Sequence, residues 1–522
     1  MTRAAPARLA ERPLSGAAHA SAGRIGILAG GGRLPLMIAE GVLAGGGRVH
    51  IVAIEGEADP GIGRFPHTWV NWGQVGRMVS TLRTEADSLV IAGGVRRPDL
   101  WKLRPDLGFF LSLPRIVEML AGGDDSVLSR VVRFFEAKGI AVRGAHEVAP
   151  DLLALAGPAG ALSLDRQAQT DAELGFAVRA ALGPLDAGQA VVIADGKVLA
   201  IEGAEGTDAM LARVAAMRGE RTGATLSGVL AKGPKPGQEL RVDMPAVGPR
   251  TIEAVAAAGL AGLAIEGGAV LLLDRSQAVA MADARGIAIE GLSSAAVSRL
   301  QTAKPGAPNG LAVDVERRAR HSVSSPVASE ARTQNVGKGQ AGGESQTSDV
   351  GVPPTPNPSP QGGGESGRAR DGRWRNERTP PPHPLRVVGR ERPNSRSGTD
   401  IEKGFAAIEC LAPFEAGHAV VVARAYILAI AAEESAAALL ERTRALRQWG
   451  VGARRRIGAL VCRAAALEGS AGHAAALLDQ AAAAGLAGVA VTGTPEALAA
   501  FDSAGEVADR HGLFLVVRGE QG

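Results

Sequence analysis

The first regular pattern in the chain is Arg24-Ile25-Gly26-Ile27-Leu28-Ala29, an almost unbroken apolar run closed by Gly30-Gly31-Gly32. A run this short, stopped by glycines, reads as a buried strand rather than a helix. A helix follows from about Pro35 to Ala44, with proline in the first turn, where its missing N–H had no partner. The pattern then predicts strand Val49–Ile54, a helix around Val75–Thr84, and strand Ser88–Ala92 ending in Gly93-Gly94. A helix is expected after Pro114 as far as Leu120, another over Ser126–Lys138, and a strand at Ile140–Arg143. Strands alternating with helices predict an α/β fold, a Rossmann-like parallel sheet with helices on its faces. In such sheets ligands bind beyond the carboxyl ends of the strands, and both glycine clusters fall at those ends.

A second, smaller α/β region starts near Asp165. Its expected elements are helix Ala168–Leu182, strands Ala190–Ala194 and Lys197–Ile201, helix Thr207–Met217, strand Thr225–Leu230, helix Pro249–Ala258, strand Gly262–Ile265, a β-segment at Ala269–Leu273 and helix Arg275–Arg285. From about Ser293 to Gly404 the periodicity stops, and PPTPNPSPQGGGESGRARDGRWRNERTPPPHP is rich in Pro, Gly, Ser and Arg. Such a segment cannot bury enough apolar surface to offset its ordering entropy, so a disordered linker is expected.

Beyond it the pattern of the second region returns. Leu182–Leu211, LGPLDAGQAVVIADGKVLAIEGAEGTDAML, aligns without a gap on Leu411–Leu440, LAPFEAGHAVVVARAYILAIAAEESAAALL. Ala256–Ile265 (AAAGLAGLAI) matches Ala482–Val491 (AAAGLAGVAV), and Asp283 and Gly286 match Asp509 and Gly512. The repeated unit is a whole domain, which is duplication rather than a solenoid. The expected organisation is an extension over 1–23, a Rossmann-like domain over 24–160, a second domain over 161–292, the linker over 293–404 and a degenerate copy of the second domain over 405–520.

Composition narrows the class. Of 522 residues, 46% are hydrophobic but only 3% aromatic, so the cores must be aliphatic. A net charge of +3 gives no global field of the kind that draws nucleic acid, and no nucleic-acid partner is expected. The two cysteines, Cys410 and Cys462, have no CxxC partner, which argues against a disulfide framework and suits a reducing compartment. The N-terminus has arginines without a continuous apolar core and fails as a secretory signal. No apolar run approaches the ~20 residues of a spanning helix. A cytoplasmic location is expected.

The repeat compares the chain with itself. Packing positions persist in the second copy, whereas polar ones are erased. Glu202, Gly206, Thr207 and Asp208 face Ala431, Ser435, Ala436 and Ala437, and Lys232 faces Cys462. The run KGPKPGQELRVDMPAVGPRT, Lys232 to Thr251, loses Asp243 in the shorter RAAALEGSAGHAAAL. A fold can be kept while its site is lost, because packing and chemistry sit on different residues. Drift in a surface loop is the alternative.

That run, expected as a loop at a strand end, carries Lys232, Lys235, Gln238, Arg241 and Asp243. Lysine and arginine neutralise phosphate oxygens. An aspartate can hold Mg²⁺ together with waters and phosphate, or orient and deprotonate water; a surface salt-bridge cluster is the plain alternative. The Gly30, Gly31 and Gly32 turn would bring backbone N–H groups to a phosphate at a helix N-terminus. Gly93, Gly94 and Arg96 form a second glycine turn with a cation beside it. Asp124 and Asp125, and His146 and Glu147, put polar groups at element ends, although Asp124 serves equally as a helix N-cap. Glu55 at the second strand's end would grip a ribose in a nicotinamide enzyme, but the glycines do not spell GxGxxG. A non-catalytic binding protein is a further alternative.

Taken together, IGILAGGGRLP, IAGGVRRPDL, GDDSVLSRVVRFFEAKGI followed by GAHEV, EGTDAML and KGPKPGQELRVDMPAVGPRTI resemble the UDP-2,3-diacylglucosamine pyrophosphatases of the LpxI type, over about Arg24 to Gly291. The resemblance implies two domains with a lipid-linked nucleotide sugar between them. It implies hydrolysis of UDP-2,3-diacylglucosamine to 2,3-diacylglucosamine 1-phosphate and UMP in lipid A synthesis, assisted by Mg²⁺. It makes Asp243 the catalytic carboxylate, and the chemistry of the loop makes the same side chain the expected metal ligand. The residues expected around the substrate are Gly30, Gly31, Gly32, Leu34, Gly93, Gly94, Arg96, Asp124, Asp125, His146, Glu147, Thr207, Asp208, Lys232, Lys235, Gln238 and Arg241. A lipid product implies peripheral contact with the inner face of the inner membrane. A homo-oligomer is compatible with the sequence. The extension, linker and copy depart from the family pattern, and the copy, without an Asp243 loop, is expected to be catalytically dead.

Overall fold

The structure is a computed structural model and describes residues 23–95, 104–120, 124–219, 226–302, 385–446, 456–467 and 471–520. Residues 1–22 of the expected extension and 303–384 of the expected linker lie outside them.

The first domain is a five-stranded, wholly parallel sheet: β1 (Arg24–Ala29), β2 (Arg48–Ile54), β3 (His67–Val70), β4 (Ser88–Ala92) and β5 (Ala141–Arg143), in the order β3-β2-β1-β4-β5. Its helices are α1 (Leu34–Ala44), α2 (Val75–Glu85), α3 (Leu107–Leu120), α4 (Asp124–Ala137) and the short α5 (Ala145–Val148). Ile27, Ile51, Val52 and Val90 are fully buried, as expected of strands covered on both faces. β3 has no counterpart in the sequence reading, because four residues with a histidine and a threonine carry too little apolar signal. α3 starts seven residues ahead of the expected Pro114 boundary: the Asp106 carboxylate accepts the amide of Phe109 at 2.8 Å, and those of Gly76 and Arg77 at 3.1 and 2.9 Å. That cap starts the helix, and Pro114 is carried inside it.

The second domain has β6 (Gly157–Pro158), α6 (Arg166–Leu182), β7 (Ala190–Ala194), β8 (Lys197–Ile201), α7 (Thr207–Arg218), β9 (Val229–Lys232), β10 (Ala246–Val247), α8 (Pro249–Ala257), β11 (Gly262–Glu266), β12 (Leu271–Leu272), α9 (Arg275–Ala284), β13 (Ala288–Leu292) and α10 (Ser294–Thr302). The main sheet runs β6-β13-β11-β9-β7-β8, with β13, β11 and β9 parallel and β7 and β8 antiparallel. β10 and β12 form a separate parallel pair. β9 extends to Lys232 rather than stopping at Leu230, so Lys232 is a buried strand residue and not part of a loop. The β7–β8 hairpin turns on two residues of positive φ, Asp195 (53°) and Gly196 (77°), the conformation a two-residue hairpin prefers.

The third region repeats this plan in β14 (Arg386–Val388), α11 (Ser395–Leu411), β15 (Ala419–Ala423), β16 (Tyr426–Ala431), α12 (Ala436–Leu446), β17 (Ala459–Arg463), α13 (Ala471–Ala483), β18 (Gly488–Gly493), α14 (Pro495–Asp502), α15 (Gly505–His511) and β19 (Phe514–Gly519). Its sheet order, β14-β19-β18-β17-β15-β16, is that of the second domain position for position. Its hairpin turns on Arg424 (55°) and Ala425 (60°), so the left-handed geometry survives although the glycine does not.

Both ends of the expected linker are therefore corrected: α10 occupies 294–302, β14 lies before Gly404, and α11 begins at Ser395 and runs through Gly404. The Pro-Asn-Ser-Arg-Ser-Gly run looks like loop by composition. In the fold Asn394 is a helix cap that accepts the amide of Ser397 at 3.0 Å, just as Asp165 caps α6 through Ala168 at 2.8 Å.

Candidate active site

The two glycine turns at the carboxyl end of the first sheet are joined. Gly31 donates its amide to Gly94 O at 2.6 Å, Gly94 returns one to Gly31 O at 3.0 Å, and Gly30 donates to Ala92 O at 2.9 Å. A Cβ on Gly30 would sit 2.6 Å from Gly94 O, and Gly93 has φ +94°. Glycine is required here by the close approach of two backbones. The bridge engages the amides of Gly30, Gly31 and Gly94, so these three do not form the phosphate cradle expected from the sequence. Leu34 opens α1 and packs against the first domain's core, and Arg96 lies outside the described residues.

Asp243 sits on the stretch between β9 and β10, and its neighbours anchor it to the first domain. Val242 packs against the cluster containing Leu28, Ile54 and Val70, while Met244 packs against the one containing Ala29, Leu36 and Ala92. The carboxylate between those anchors accepts Gln238 Nε2 through Oδ2 at 2.6 Å, and Gln238 Oε1 accepts the Lys235 amide at 2.9 Å. Lys235 Nζ reaches Asp186 at 2.9 Å. Arg241 donates to Glu239 at 2.8 and 2.7 Å and to Glu136 on α4 at 2.8 Å. It thereby ties the loop to the first domain, with its donors directed at carboxylates rather than at a phosphate.

Behind the loop lies a cluster of charge inside the second domain. Lys232 is 8% exposed, and its ammonium donates to Thr207 Oγ1 at 2.9 Å and Ala246 O at 3.2 Å. Thr207 donates to Glu202 Oε1 at 3.1 Å. Burial pushes Glu202 up from the usual carboxylate range, against the pull of Lys232, and pushes Lys232 down against the pull of Glu202. Arg179, buried over the Phe176 ring, donates to Gln189 O at 3.0 Å and Pro234 O at 2.8 Å. Burial brings it down to about 10. Glu266, its electrostatic partner, is raised by burial.

Arg179 and Glu266 were not recognised in the sequence, yet the repeat holds the signal. β9 pairs Lys232 with Ile265, and β17 pairs Cys462 with Val491, which fixes Cys462 as the counterpart of Lys232. In the same registers Arg179 becomes Ile408, Glu202 Ala431, Thr207 Ala436 and Glu266 Thr492. The whole charged cluster is neutral in the copy, and the Asp243 loop is missing.

The remaining expected residues are more dispersed. Asp208 forms an exposed ion pair with Arg250 at 2.9 Å. Asp124 and Asp125 open α4, with side chains outside the described residues. The Glu147 carboxylate accepts the Gly144 amide at 3.0 Å and Arg143 Nε at 3.3 Å. Burial opposes its ionisation, but these contacts outweigh that and hold its pKa below the usual range. It acts as a cap for α5. His146 Nδ1 is buried without a hydrogen-bond partner among the described residues, and its ring fills the space a Gly144 Cβ would need.

No three His, Cys, Asp or Glu side chains gather as a ligand set among the described residues. A Mg²⁺ ion held by one carboxylate, waters and substrate phosphates asks no more of the protein than Asp243.

Residues 24–152 match the LpxI N-terminal domain, and residues 156–290 and 384–466 match the LpxI C-terminal domain. The chain belongs to the LpxI family. Over 257 residues it is 40% identical to the UDP-2,3-diacylglucosamine pyrophosphatase LpxI of Caulobacter vibrioides, covering 48% of this chain and 91% of that protein. The LpxI C-terminal match spans both the second domain and the first part of its repeat.

Proposed function

We propose that the chain hydrolyses UDP-2,3-diacylglucosamine to 2,3-diacylglucosamine 1-phosphate and UMP, the reaction of lipid A synthesis. The observation that carries this reading is the placement of Asp243. It is the carboxylate of the loop the copy lacks, pinned on both sides to the first domain, in a chain 40% identical to a protein named for that activity.

Asp243 orients the attacking water, with Gln238 holding one carboxylate oxygen and leaving the other for the reaction. The water oxygen bonds to the phosphorus on the sugar side, the bridging P–O bond breaks, and the nucleotide departs as UMP with the bridging oxygen. Lys232 at the end of β9 and Lys235 on the loop that follows set a positive field beside Asp243. Asp243 would hold a Mg²⁺ ion, whose charge would offset that of the phosphates. α3 exposes Leu107, Phe110 and Leu111 at 75, 57 and 75%, an apolar face for acyl chains or a membrane surface. No helix among the described residues is long and apolar enough to cross a membrane.

The test incubates the purified full chain with UDP-2,3-diacylglucosamine and Mg²⁺ in ¹⁸O-water. UMP must form, and the label must appear in the lipid phosphate. Label in UMP would overturn the direction of attack, and absence of UMP the function.

A further inference from the structure

The second domain and its copy meet through equivalent residues. Arg213 pairs with Glu205 of its own copy at 2.8 Å and with Glu434 of the other at 3.7 Å. Arg442 pairs with Glu434 of its own copy at 2.5 Å and with Glu205 of the other at 3.3 Å. The alignment that superimposes the copies places Glu205 on Glu434 and Arg213 on Arg442. Each arginine also donates to the end of the neighbouring strand, Arg213 to Ile201 O at 3.3 Å and Arg442 to Ile430 O at 2.9 Å. These four side chains are between 5 and 16% exposed. Around them one apolar cluster draws on both copies, with Val178, Leu182 and Ile193 from the first and Phe405, Ile408 and Val420 from the second. The backbones touch as well: Ala204 donates to Leu428 O at 2.9 Å.

A surface in which residue i of one unit meets j of the other, and j meets i, is the mark of a two-fold interface between like subunits. The copy has lost Glu202 but kept the glutamate three positions on. Its drift therefore spared the interface while erasing the charged cluster. The copy also comes close to the working loop, because Lys403 on α11 lies in the field of Asp186 and Lys235.

We propose that the appended copy is a built-in partner subunit. It occupies the face through which the second domain would pair with a like domain, so that the chain is a monomer whose active half is permanently partnered. This rests on the fold and the interface, and is independent of which substrate the site takes.

The test is made on the full chain with a protease site introduced between residues 308 and 383. Light scattering must give a monomer before cutting, and after cutting a 1:1 complex of the two pieces at micromolar concentration. Glu205→Arg with Arg213→Glu keeps the pair inside the first copy but sets like charges across the interface, and must weaken association of the cut pieces at least tenfold. Adding Glu434→Arg with Arg442→Glu restores opposite charges everywhere and must recover the complex. A dimeric uncut chain, cut pieces that separate without mutation, or a one-sided swap that leaves association unchanged would each overturn the proposal. So would a four-residue swap that fails to restore the complex while circular dichroism shows both pieces folded.

Discussion

The buried charges of the second domain offer a direct separation of chemistry from packing, because the chain itself carries their uncharged replacements. Consider first Lys232→Cys alone. It removes the donor to Thr207 and Ala246 and leaves Glu202, 8% exposed, without its cation. Stranding one member of a buried charged network costs about 3–5 kcal/mol. At about 2–4 °C per kcal/mol for a domain of this size, the melting temperature should fall by roughly 6–20 °C. Now consider the copy's whole set: Arg179→Ile, Glu202→Ala, Thr207→Ala, Lys232→Cys and Glu266→Thr. Two positive and two negative groups leave together, so no charge is stranded. Exchanging buried ions for apolar side chains gains about 1–4 kcal/mol. Against this stand the Arg179 bonds to Gln189 and Pro234, worth about 1 kcal/mol each. The five-residue variant should therefore melt within about 5 °C of the parent, far above the single variant. Calorimetry reads the stability and UMP release reads the activity, which should vanish. If the five-residue variant melts as low as Lys232→Cys, the cluster holds the fold together and the reasoning is wrong.

Asp243→Asn should lower UMP release by about three orders of magnitude or more while shifting the melt by no more than a few degrees, because its only described side-chain bond is to Gln238; turnover within tenfold of the parent would remove Asp243 from the chemistry. Gly30→Ala places a Cβ 2.6 Å from Gly94 O, so the Gly31–Gly94 bridge must open at about 1–3 kcal/mol; a melt unchanged from the parent would contradict that. The Glu239 carboxyl is held below its usual range chiefly by its hydrogen bonds to Arg241. A lowered carboxylate stabilises fully above its unfolded pKa of about 4.3 and loses that stabilisation as pH falls through the folded value. The pair is partly exposed, so the effect is under ~1 kcal/mol, and Arg241→Ala should flatten the melting curve against pH between about 5 and 3; parallel curves would refute the clasp. Phe110→Asp with Leu111→Asp should raise KM for long-chain substrate while leaving kcat near the parent value; an unchanged KM would separate α3 from the lipid.

Much of the fold could be read from the chain because its signals are local. The β1 run with its glycine stop, the helix and hairpin of the second region, and their return after the proline-rich stretch all carry their own periodicity. What was missed depended on distant partners. β3 is held by pairing with β2, not by its own four residues. α3 begins where the Asp106 carboxylate also serves α2, a contact no local window contains. At the site, Asp243 and Lys232 were visible because the repeat erased them. Arg179 and Glu266 were erased as well, but they lie on different elements from the loop, and only the fold brings them together. The Gly31–Gly94 bridge reversed a plausible reading for a similar reason. A glycine-rich turn looks alike whether it receives a phosphate or a second backbone.

The hairpin at Arg424–Ala425 has a consequence of its own. Alanine pays roughly 1 kcal/mol to hold a left-handed backbone that glycine adopts freely. The strands on either side tolerate no slip, since shifting β15 by one residue would turn Val420 and Val422 from one face of the sheet to the other. Neighbouring side chains thus dictate the bend to a residue unsuited to it. A domain without the charged cluster of its counterpart still keeps its turns captive to the sheet they connect.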